Sequence, residues 1–436
     1  MKKLVSAVTI AALTAGAMSA EVKIGLQSCT RPSLFTYVGS YADDSDLSIF
    51  GDFSYTGHQD TLTFSTSSDY AGAKLVMKAG TTASEYYNNE GNDKESLSWG
   101  FDGDAYAWIG FGNFKLYGGK ISYRGKVNRQ NKFGLVDSDT AKYGVSSTIN
   151  NGDSKTFLYD FNDVGTIAGT RHTAMIGEYT LSEALPGDLI FRLGMLANNW
   201  KYDDEYVYDS KTKVTAGSYI GSSFVFDVTY SQKDFLSLDL VVKSPSQHQL
   251  GFGLYGELDM VENLALNLGF TYGMQNELEA YETAAALAAG TKTVVKSKWN
   301  AFAVDFRAVY TVSDPFTLAF TAKYSSAKAD GEDTESAINL ALGGKYVFSE
   351  TLEGNLTLAV DMDDLDDNDK ADLAENWIWV SPDVTIYAGK NAYFEAGVMF
   401  GTAINGGDAE DACKASSDLN ITKMNFAIPL VLRCKI

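Results

Sequence analysis

Proline is scarce in this sequence, and so is any stretch that would separate two folded units. Six prolines occur in 436 residues, and no low-complexity block divides the chain. A soluble chain of this length normally splits into domains, because a single hydrophobic core stops growing at about 250–300 residues. The missing linker therefore favours an architecture that can enlarge without one central core.

Cysteine and histidine are equally rare, with three residues of each. Three cysteines are too few for a disulfide framework, and the number is odd. The histidines stand in no metal-ligand spacing, and no hydrolase, metalloprotease or phosphate-loop motif occurs. The sequence therefore predicts neither an enzyme nor a metal site, and it indicates no cofactor.

Positive charge and long apolar runs are also lacking. The chain has 35 Lys and Arg against 56 Asp and Glu, a formal net charge of −21. Binding of nucleic acid needs a positive face, so we expect no nucleic-acid partner. Beyond the N-terminal segment no run of about 18 apolar residues occurs, which excludes a helical membrane protein.

The N-terminal segment has the form of a secretory signal peptide. Two lysines follow Met1, an apolar run extends from Leu4 to Met18, and small residues come next. The run is too short for a stop-transfer helix. We expect residues 1–20 to be removed and residues 21–436 to form a single domain.

What the sequence has in abundance is alternation of apolar and polar residues. In "FAVDFRAVYTV", Phe302, Val304 and Phe306 share one face, while Asp305 and Arg307 share the other. Such segments are about ten residues long, which is the length of a tilted strand that crosses a bilayer. A soluble β-sandwich also alternates, but its strands are shorter and its outer face is more charged. We therefore predict an all-β fold, a transmembrane antiparallel up-and-down barrel.

The connections between these segments alternate in length. Tight turns are predicted at 68–71, 111–113, 181–187, 231–233, 260–263, 313–315, 349–353 and 389–391. Long polar connections are predicted at 81–98, 123–171, 198–218, 275–298, 326–335, 364–376 and 402–417, with a short one at 244–248. Short periplasmic turns and long extracellular loops are typical of outer-membrane barrels. Counting the segments predicts 16 to 18 strands.

Aromatic residues gather at the predicted strand ends, which suggests girdles at the two membrane interfaces. One set precedes the tight turns and comprises Tyr179, Tyr230, Tyr310 and Tyr346. The other adjoins the long loops and comprises Trp200, Trp299, Trp377, Trp379, Tyr272 and Tyr324. The final segment, "NFAIPLVLRCKI", continues the alternation to Ile436.

These features together resemble the outer-membrane β-barrel porins of diderm bacteria. The segment "AYAWIGFGNFKLYGGKIS" (105–122) is similar to a strand–turn–strand unit of spirochaete porin-like barrels. The usual last residue of the family is aromatic, whereas this chain has Ile436. The resemblance implies a bacterial outer-membrane location and passive diffusion of small hydrophilic solutes through a water-filled lumen. It also implies outer-membrane lipid and the barrel-assembly machinery as partners, and it leaves a homo-oligomer open.

Charged residues on the polar faces are the candidate site residues, because charged side chains in a pore wall can set ion preference. The predicted pore-lining residues are Asp305, Arg307, Asp239, Asp227, Arg192, Glu257, Lys323 and Lys345. Asp305 and Arg307 lie in the middle of their strand. Salt bridges between neighbouring strands are the alternative role for each of these charges.

A basic cluster opens the longest connection and is predicted to belong to a loop that narrows the channel. Its members are Lys120, Arg124, Lys126, Arg129 and Lys132. A surface loop that contacts anionic headgroups is the alternative.

Two other functions remain open at this stage. One is a surface adhesin whose loops bind a host ligand. The other is a substrate-specific transporter of the fatty-acid type, which would need a plug in the lumen, and residues 21–45 are long enough to form one. A Cys29–Cys413 bridge is also conceivable, with Cys29 at the top of the first strand and Cys413 above the last.

Overall fold

The computed structural model describes most of the strand-forming sequence. The described residues are 22–30, 32–38, 46–52, 58–81, 98–100, 105–121, 173–182, 185–196, 224–246, 249–280, 288–296, 298–331, 334–362, 376–403 and 424–436. The predicted signal segment, most of the basic cluster, Trp200 and Cys413 lie outside these ranges.

Within the described residues, a closed antiparallel barrel of 18 strands dominates the fold. The first nine strands are β1 (Val22–Thr30, continued by Pro32–Val38), β2 (Asp46–Asp52, continued by His58–Ser67), β3 (Ala71–Thr81), β4 (Ser98–Gly100, continued by Ala105–Phe111), β5 (Phe114–Lys120), β6 (Thr173–Leu181), β7 (Asp188–Leu196), β8 (Phe224–Gln232) and β9 (Leu236–Ser246).

The second half of the barrel has the same up-and-down order. Its strands are β10 (Gln249–Val261), β11 (Leu264–Gln275), β12 (Trp299–Ser313), β13 (Phe316–Ala329), β14 (Thr334–Ser349), β15 (Leu352–Met362), β16 (Asn376–Tyr387), β17 (Ala392–Gly397, continued by Met399–Ala403) and β18 (Met424–Lys435). A separate two-stranded sheet joins Leu278–Ala280 to Thr293–Lys296 between β11 and β12.

Each strand pairs with its neighbour in sequence, and the last strand closes the ring against the first. Thr30 lies opposite Leu432, and further along β1 Val38 lies opposite Asn425. Two backbone hydrogen bonds, 2.9 and 2.8 Å long, join Leu26 and Ile436 at the lower end of this seam. Closure leaves no unpaired edge, which a sheet in lipid requires.

Seven of the eight predicted tight turns are confirmed to within two residues, and the eighth, at 181–187, lies partly outside the described residues. The turns after β12 and β14 are two residues long, at 314–315 and 350–351. Gly112 (φ +60°) and Asn263 (φ +63°) occupy two other turns in the left-handed region, which Gly and Asn adopt most readily. The predicted strand length is too short for part of the barrel, since β12, β13 and β14 have 15, 14 and 16 residues.

The first described residues of the chain belong to the barrel wall. Residues 22–30 and 32–38 form β1, whose pairing with β2 and β18 places this part of the candidate plug (21–45) in the wall, and residues 39–45 lie outside the described residues. Cys29 lies inside β1, with Pro32–Val38 beyond it, so it does not cap the strand as predicted.

Helices contribute little to the described ranges. None of the helical turns there has the length or the apolar composition of a membrane-spanning helix.

The outer surface carries a belt of large apolar side chains. Leu268, Leu342 and Leu432 are all about half exposed, although they lie within strands and not in turns. Aromatic residues continue the belt to the turns, and those near the short turns include Tyr70, Phe111, Phe114, Tyr179, Tyr310, Tyr346 and Phe348. An exposed apolar belt with aromatic margins is the surface that a barrel presents to lipid.

The prediction is wrong for one girdle residue, Trp299. Trp299 is 2% exposed and packs in a cluster with Ala301, Ala327 and Ala329. It shares the face of Ala301 and Ala303, which is opposite to the face of Val304. Because successive side chains of a strand point to opposite faces, this ring points away from lipid even though it lies at a strand end.

Candidate functional site

Burial distinguishes the two faces of the barrel wall. On β12 Ala303 is 1% exposed and Val304 is 38% exposed, although the two are adjacent. Side chains converge on the concave side of a closed sheet and diverge on the convex side, so the buried face is the inner one. The apolar alternation places Val304 and its equivalents outside, as the sequence predicts.

The inner face of β5 to β9, which we call the paired wall, is centred on Arg192. This side chain is 2% exposed, and its Nε donates a 2.8 Å hydrogen bond to Glu178 Oε2 on β6. Its Nη1 pairs with Asp227 on β8 and donates to Thr229 Oγ1 at 2.8 Å. A buried cation thus bridges three strands through fixed partners, as the cost of taking charge out of water requires.

The network extends in both directions from Arg192. Thr229 donates from Oγ1 to Asp239 Oδ1 on β9 at 2.9 Å. On the other side the Tyr117 hydroxyl of β5 donates to Glu178 Oε1 at 3.2 Å. Five consecutive strands are therefore joined by side-chain hydrogen bonds in addition to their backbone pairing.

An apolar cluster lies next to this network on the same face. It consists of Tyr117, Ile121, Ile176, Val225 and Val241, with Tyr106 and Trp108 packed against it. Gly194 lies opposite both Ile176 and Val225, and a Cβ added there would come within 2.9 Å of Val225 Cγ1. The paired wall is therefore tightly packed as well as charged.

The inner face of β12 to β16, which we call the small-residue wall, has a different composition. Ala, Ser, Thr and Asn predominate on it, and its buried members include Ala319, Thr321, Ser325, Asn339, Ala341, Thr357 and Ser381. In a ring of 18 strands, β7 and β16 are half a circumference apart. Strands β5 to β7 of the paired wall therefore lie across the lumen from strands β14 to β16 of the small-residue wall.

Charges on the small-residue wall are spaced along the strands. Asp305 on β12 lies directly opposite Lys323 on β13. Arg307, one inward position further along β12, lies between Asn267 and Thr321. Lys345 on β14 lies opposite Thr317 and Asn355. Each of these charges has a neutral polar side chain or an opposite charge beside it.

The last strands of this half carry acidic and aromatic polar groups. Asn355 Nδ2 donates to Asp383 Oδ1 at 2.6 Å, and the Tyr387 hydroxyl donates to Glu353 Oε2 at 3.0 Å. On the neighbouring strands Arg433 Nη1 donates to the Tyr393 hydroxyl at 2.9 Å. Glu395 is 1% exposed.

The structure brings some of the predicted site residues together and leaves others apart. Arg192, Asp227 and Asp239 meet in one network, and Asp305 meets Lys323. Glu257 lies separately on β10, opposite Ser237 and Asn267. Lys120 ends β5, and the other basic-cluster residues, Arg124, Lys126, Arg129 and Lys132, lie outside the described residues.

Three buried carboxylates of the inner face were not among the predicted site residues, namely Glu178, Asp383 and Glu395. Each alternates with an outward apolar residue, as Glu178 does with Tyr179 and Glu395 with Phe394. Strand parity was thus sufficient to find them. In the part of the chain that the structure describes, no group of three or more His, Cys, Asp and Glu side chains is arranged to hold a metal ion.

Comparison with solved structures identifies the architecture. An anion-selective porin from Comamonas acidovorans aligns over 96% of this chain and 100% of its own, with 11% identity and a TM-score of 0.50. The chain folds as an outer-membrane β-barrel. This fold and the exposed apolar belt place it in the outer membrane of a bacterium, as predicted from the sequence.

Two further structures show the same coverage with lower scores. A loop L8 deletion mutant of OmpT, an outer membrane protein of Vibrio cholerae, is 10% identical over 96% of this chain and 100% of its own, with a TM-score of 0.48. OccK11 of Pseudomonas aeruginosa is 9% identical over 96% of both chains, with a TM-score of 0.47. No family model and no curated protein sequence matches the chain.

Proposed function

We propose that this outer-membrane β-barrel is a channel through which small hydrophilic solutes and ions diffuse passively. One observation carries the proposal: a closed ring of 18 strands has an apolar outer belt and a polar inner face. Barrels of 8 strands fill their interior with side chains, whereas barrels of 16 to 18 strands leave an aqueous channel. Strand number and inner polarity together support a water-filled lumen.

The proposed channel lowers the free-energy barrier that a hydrophilic solute meets when it crosses the membrane. A hydrophilic solute or ion loses its hydration when it enters hydrocarbon, at a cost of several kcal/mol per unsatisfied polar group. Hydroxyl, amide and charged side chains on the inner face keep water in the path, so that the solute stays solvated. Its own gradient then drives the movement, and no chemical step is required.

Charged residues of the inner face divide into two roles under this proposal. Arg192 and Asp227 form an ion pair inside the paired wall, and Asp239 joins them through Thr229, so these residues serve the wall itself. Asp305, Arg307, Lys345 and Glu257 are half-buried and are the charges that the passing ions meet, with the buried Lys323 beside Asp305. Wall charges of this kind bias ion traffic electrostatically.

Conductance of the refolded protein in planar bilayers tests the proposal. We expect stable steps of current whose size rises with salt concentration. A preparation that shows the circular dichroism of a β-barrel but produces no steps would overturn the channel function and leave a surface-binding role. Chemical crosslinking of the same preparation shows whether the conducting form is a single copy or a homo-oligomer.

A further inference from the structure

Four buried oxygen atoms on β15 and β16 have no hydrogen-bond partner. They are Asn355 Oδ1, Thr357 Oγ1, Ser381 Oγ and Asp383 Oδ2. The four residues are between 0 and 6% exposed. Buried polar atoms normally have a partner, and a group of orphaned ones indicates that an ion or a water belongs there.

Strand register places these four side chains next to one another. Asn355 lies opposite Asp383, and Thr357 lies opposite Ser381, so the residues occupy two adjacent rows on the inner face. Cross-strand neighbours have Cβ atoms about 5 Å apart, and successive positions on one face of a strand are about 7 Å apart. The four oxygens therefore border one small area of the small-residue wall.

The one hydrogen bond inside this group determines its polarity. Asn355 Nδ2 donates to Asp383 Oδ1, which turns the amide oxygen away as an acceptor. The carboxylate keeps its second oxygen for another partner, and the two hydroxyls can also present lone pairs. All four atoms thus offer lone pairs, and Asp383 adds a negative charge when its carboxyl group is ionised.

Neighbouring charges make the area more favourable for a cation. Glu353 and Glu395 lie on either side of Thr385, in the row next to Asp383. Lys345 lies across from Asn355, on the side away from Asp383. Arg433, opposite Tyr393, is one row beyond Glu395. An anion approaching Asp383 would meet three carboxylates, whereas these two cations flank the group rather than lie within it.

We propose that Asn355, Thr357, Ser381 and Asp383 form a binding site for a monovalent cation on the inner wall of the barrel. One carboxylate and three neutral oxygens are hard ligands of low total charge, which suit an alkali ion or a primary ammonium group better than a divalent metal. The inference rests on the proposed channel function, because the cation reaches the inner face through the lumen. Permeating cations would bind transiently at this site on the small-residue wall.

The test is the dependence of single-channel conductance on cation activity. A binding site in the path makes conductance saturate, because an occupied site admits no second ion until the first has left. We expect saturation for the wild type in sodium chloride. The Asp383→Asn variant is expected to raise the half-saturating activity about tenfold or more, which corresponds to about 1.4 kcal/mol of lost binding. Asp314→Asn, which removes the same charge from an exposed turn, is the matched control and retains the wild-type curve.

A second variant separates binding from a general charge effect. Thr357→Val combined with Ser381→Ala removes both hydroxyls and leaves the charge unchanged. If the site binds a cation, this variant raises the cation activity at which conductance is half-saturated. If the hydroxyls are only unpartnered wall atoms, the variant becomes more stable and conducts as the wild type does, which would overturn the inference.

The choice of salt identifies the ligand class. Saturation in sodium chloride assigns the site to alkali ions, and saturation in methylammonium chloride alone assigns it to primary ammonium groups. Tetraethylammonium has no N–H group and is too bulky for such a site, so identical saturation in its chloride contradicts the proposal. Linear conductance in all three salts contradicts it as well.

Failure of this inference can be distinguished from failure of the channel function. Absence of any current steps rejects the channel, whereas steps without saturation reject only the site. In the first case the site is still measurable, because a bound cation raises the thermal unfolding midpoint of the barrel in detergent. The site is supported if sodium raises the midpoint of the wild type and of Asp314→Asn but not that of Asp383→Asn. It is rejected if sodium shifts the midpoints of all three proteins equally.

Discussion

The paired wall and the small-residue wall belong to one barrel, but their polar side chains are arranged differently. On the paired wall, long side chains reach across strands, and the Arg192 guanidinium has partners on β6 and β8. On the small-residue wall, most side chains end at a methyl, hydroxyl or amide group, as in Ala341, Thr357 and Ser381. The same strand pattern therefore supports a cross-linked surface on one side and an open row of short groups on the other.

This contrast shows where stability and selectivity are expected to reside. A buried charge network is costly to break, because each member left alone is an unpaired charge out of water. Short polar groups contribute little to one another but control what a passing ion meets. Substitutions on the paired wall should therefore change stability, and substitutions on the small-residue wall should change permeation.

The largest effect is expected from Arg192→Ala. Loss of the guanidinium leaves the Glu178 and Asp227 carboxylates buried without their cation, and breaking such a pair costs about 3–5 kcal/mol. Denaturant unfolding of the barrel in lipid vesicles measures the change. Lys233→Ala is the control, because Lys233 and Asp234 form a 3.8 Å ion pair in an exposed turn. Equal effects of the two substitutions would remove the distinction between the walls.

Packing on the paired wall is tested by Gly194→Ala. The added methyl group would lie 2.9 Å from Val225 Cγ1 and 3.2 Å from Ile176 Cγ1, so the barrel should lose about 2 kcal/mol of stability through overpacking. Gly118→Ala is the matched control on β5, since a Cβ there meets no atom within 4 Å. Unfolding midpoints that agree between the two variants would show that the apolar cluster is loosely packed.

A smaller loss is expected from Tyr117→Phe. The substitution keeps the ring next to Tyr106 and removes the hydroxyl that donates to Glu178 at 3.2 Å, which should cost about 1 kcal/mol. Tyr230→Phe is a useful comparison, because its hydroxyl donates to the neutral amide of Gln232. If Tyr230→Phe proves the more destabilising of the two, the carboxylate network contributes less than the geometry indicates.

The smallest change in stability is expected on the small-residue wall, from Asp305→Asn. Asp305 lies opposite Lys323, which is 6% exposed, and the Asn amide oxygen keeps a hydrogen-bond acceptor beside the ammonium group, so the substitution should cost about 1 kcal/mol. Ion selectivity should change instead. The positive charge of Lys323 then has no carboxylate opposite it, so the permeability to anions should rise relative to that to cations. The reversal potential under a salt gradient measures this shift. An unchanged potential together with a large loss of stability would reverse the roles of the two walls.

Much of the fold was predictable because strand geometry repeats every two residues. Alternation in segments such as 302–312 identified the outer face, and turn residues such as Gly112 and Asn263 marked the short connections. The predicted range of 16 to 18 strands includes the observed 18. Parity also places Trp299 and Glu178 on the inner face, although Trp299 was predicted to join a girdle because it lies at a strand end.

Contacts between strands were not predictable in the same way. Asp305 and Lys323 lie 18 positions apart in the sequence, and only the register of β12 on β13 makes them neighbours. The association of Arg192 with Asp227 requires the β7–β8 register across a long connection. Periodicity specifies a face, whereas register specifies a partner.

The sequence by itself determined the class of this protein through its amphipathic strands, its short turns and the apolar face that meets lipid. These are local properties, set by backbone geometry and by the transfer of side chains between water and lipid. Only the tertiary structure decided how many strands close the ring, which inner charges neutralise one another, and which oxygens remain without partners. Those outcomes depend on register and closure, because they bring together residues that the sequence keeps far apart.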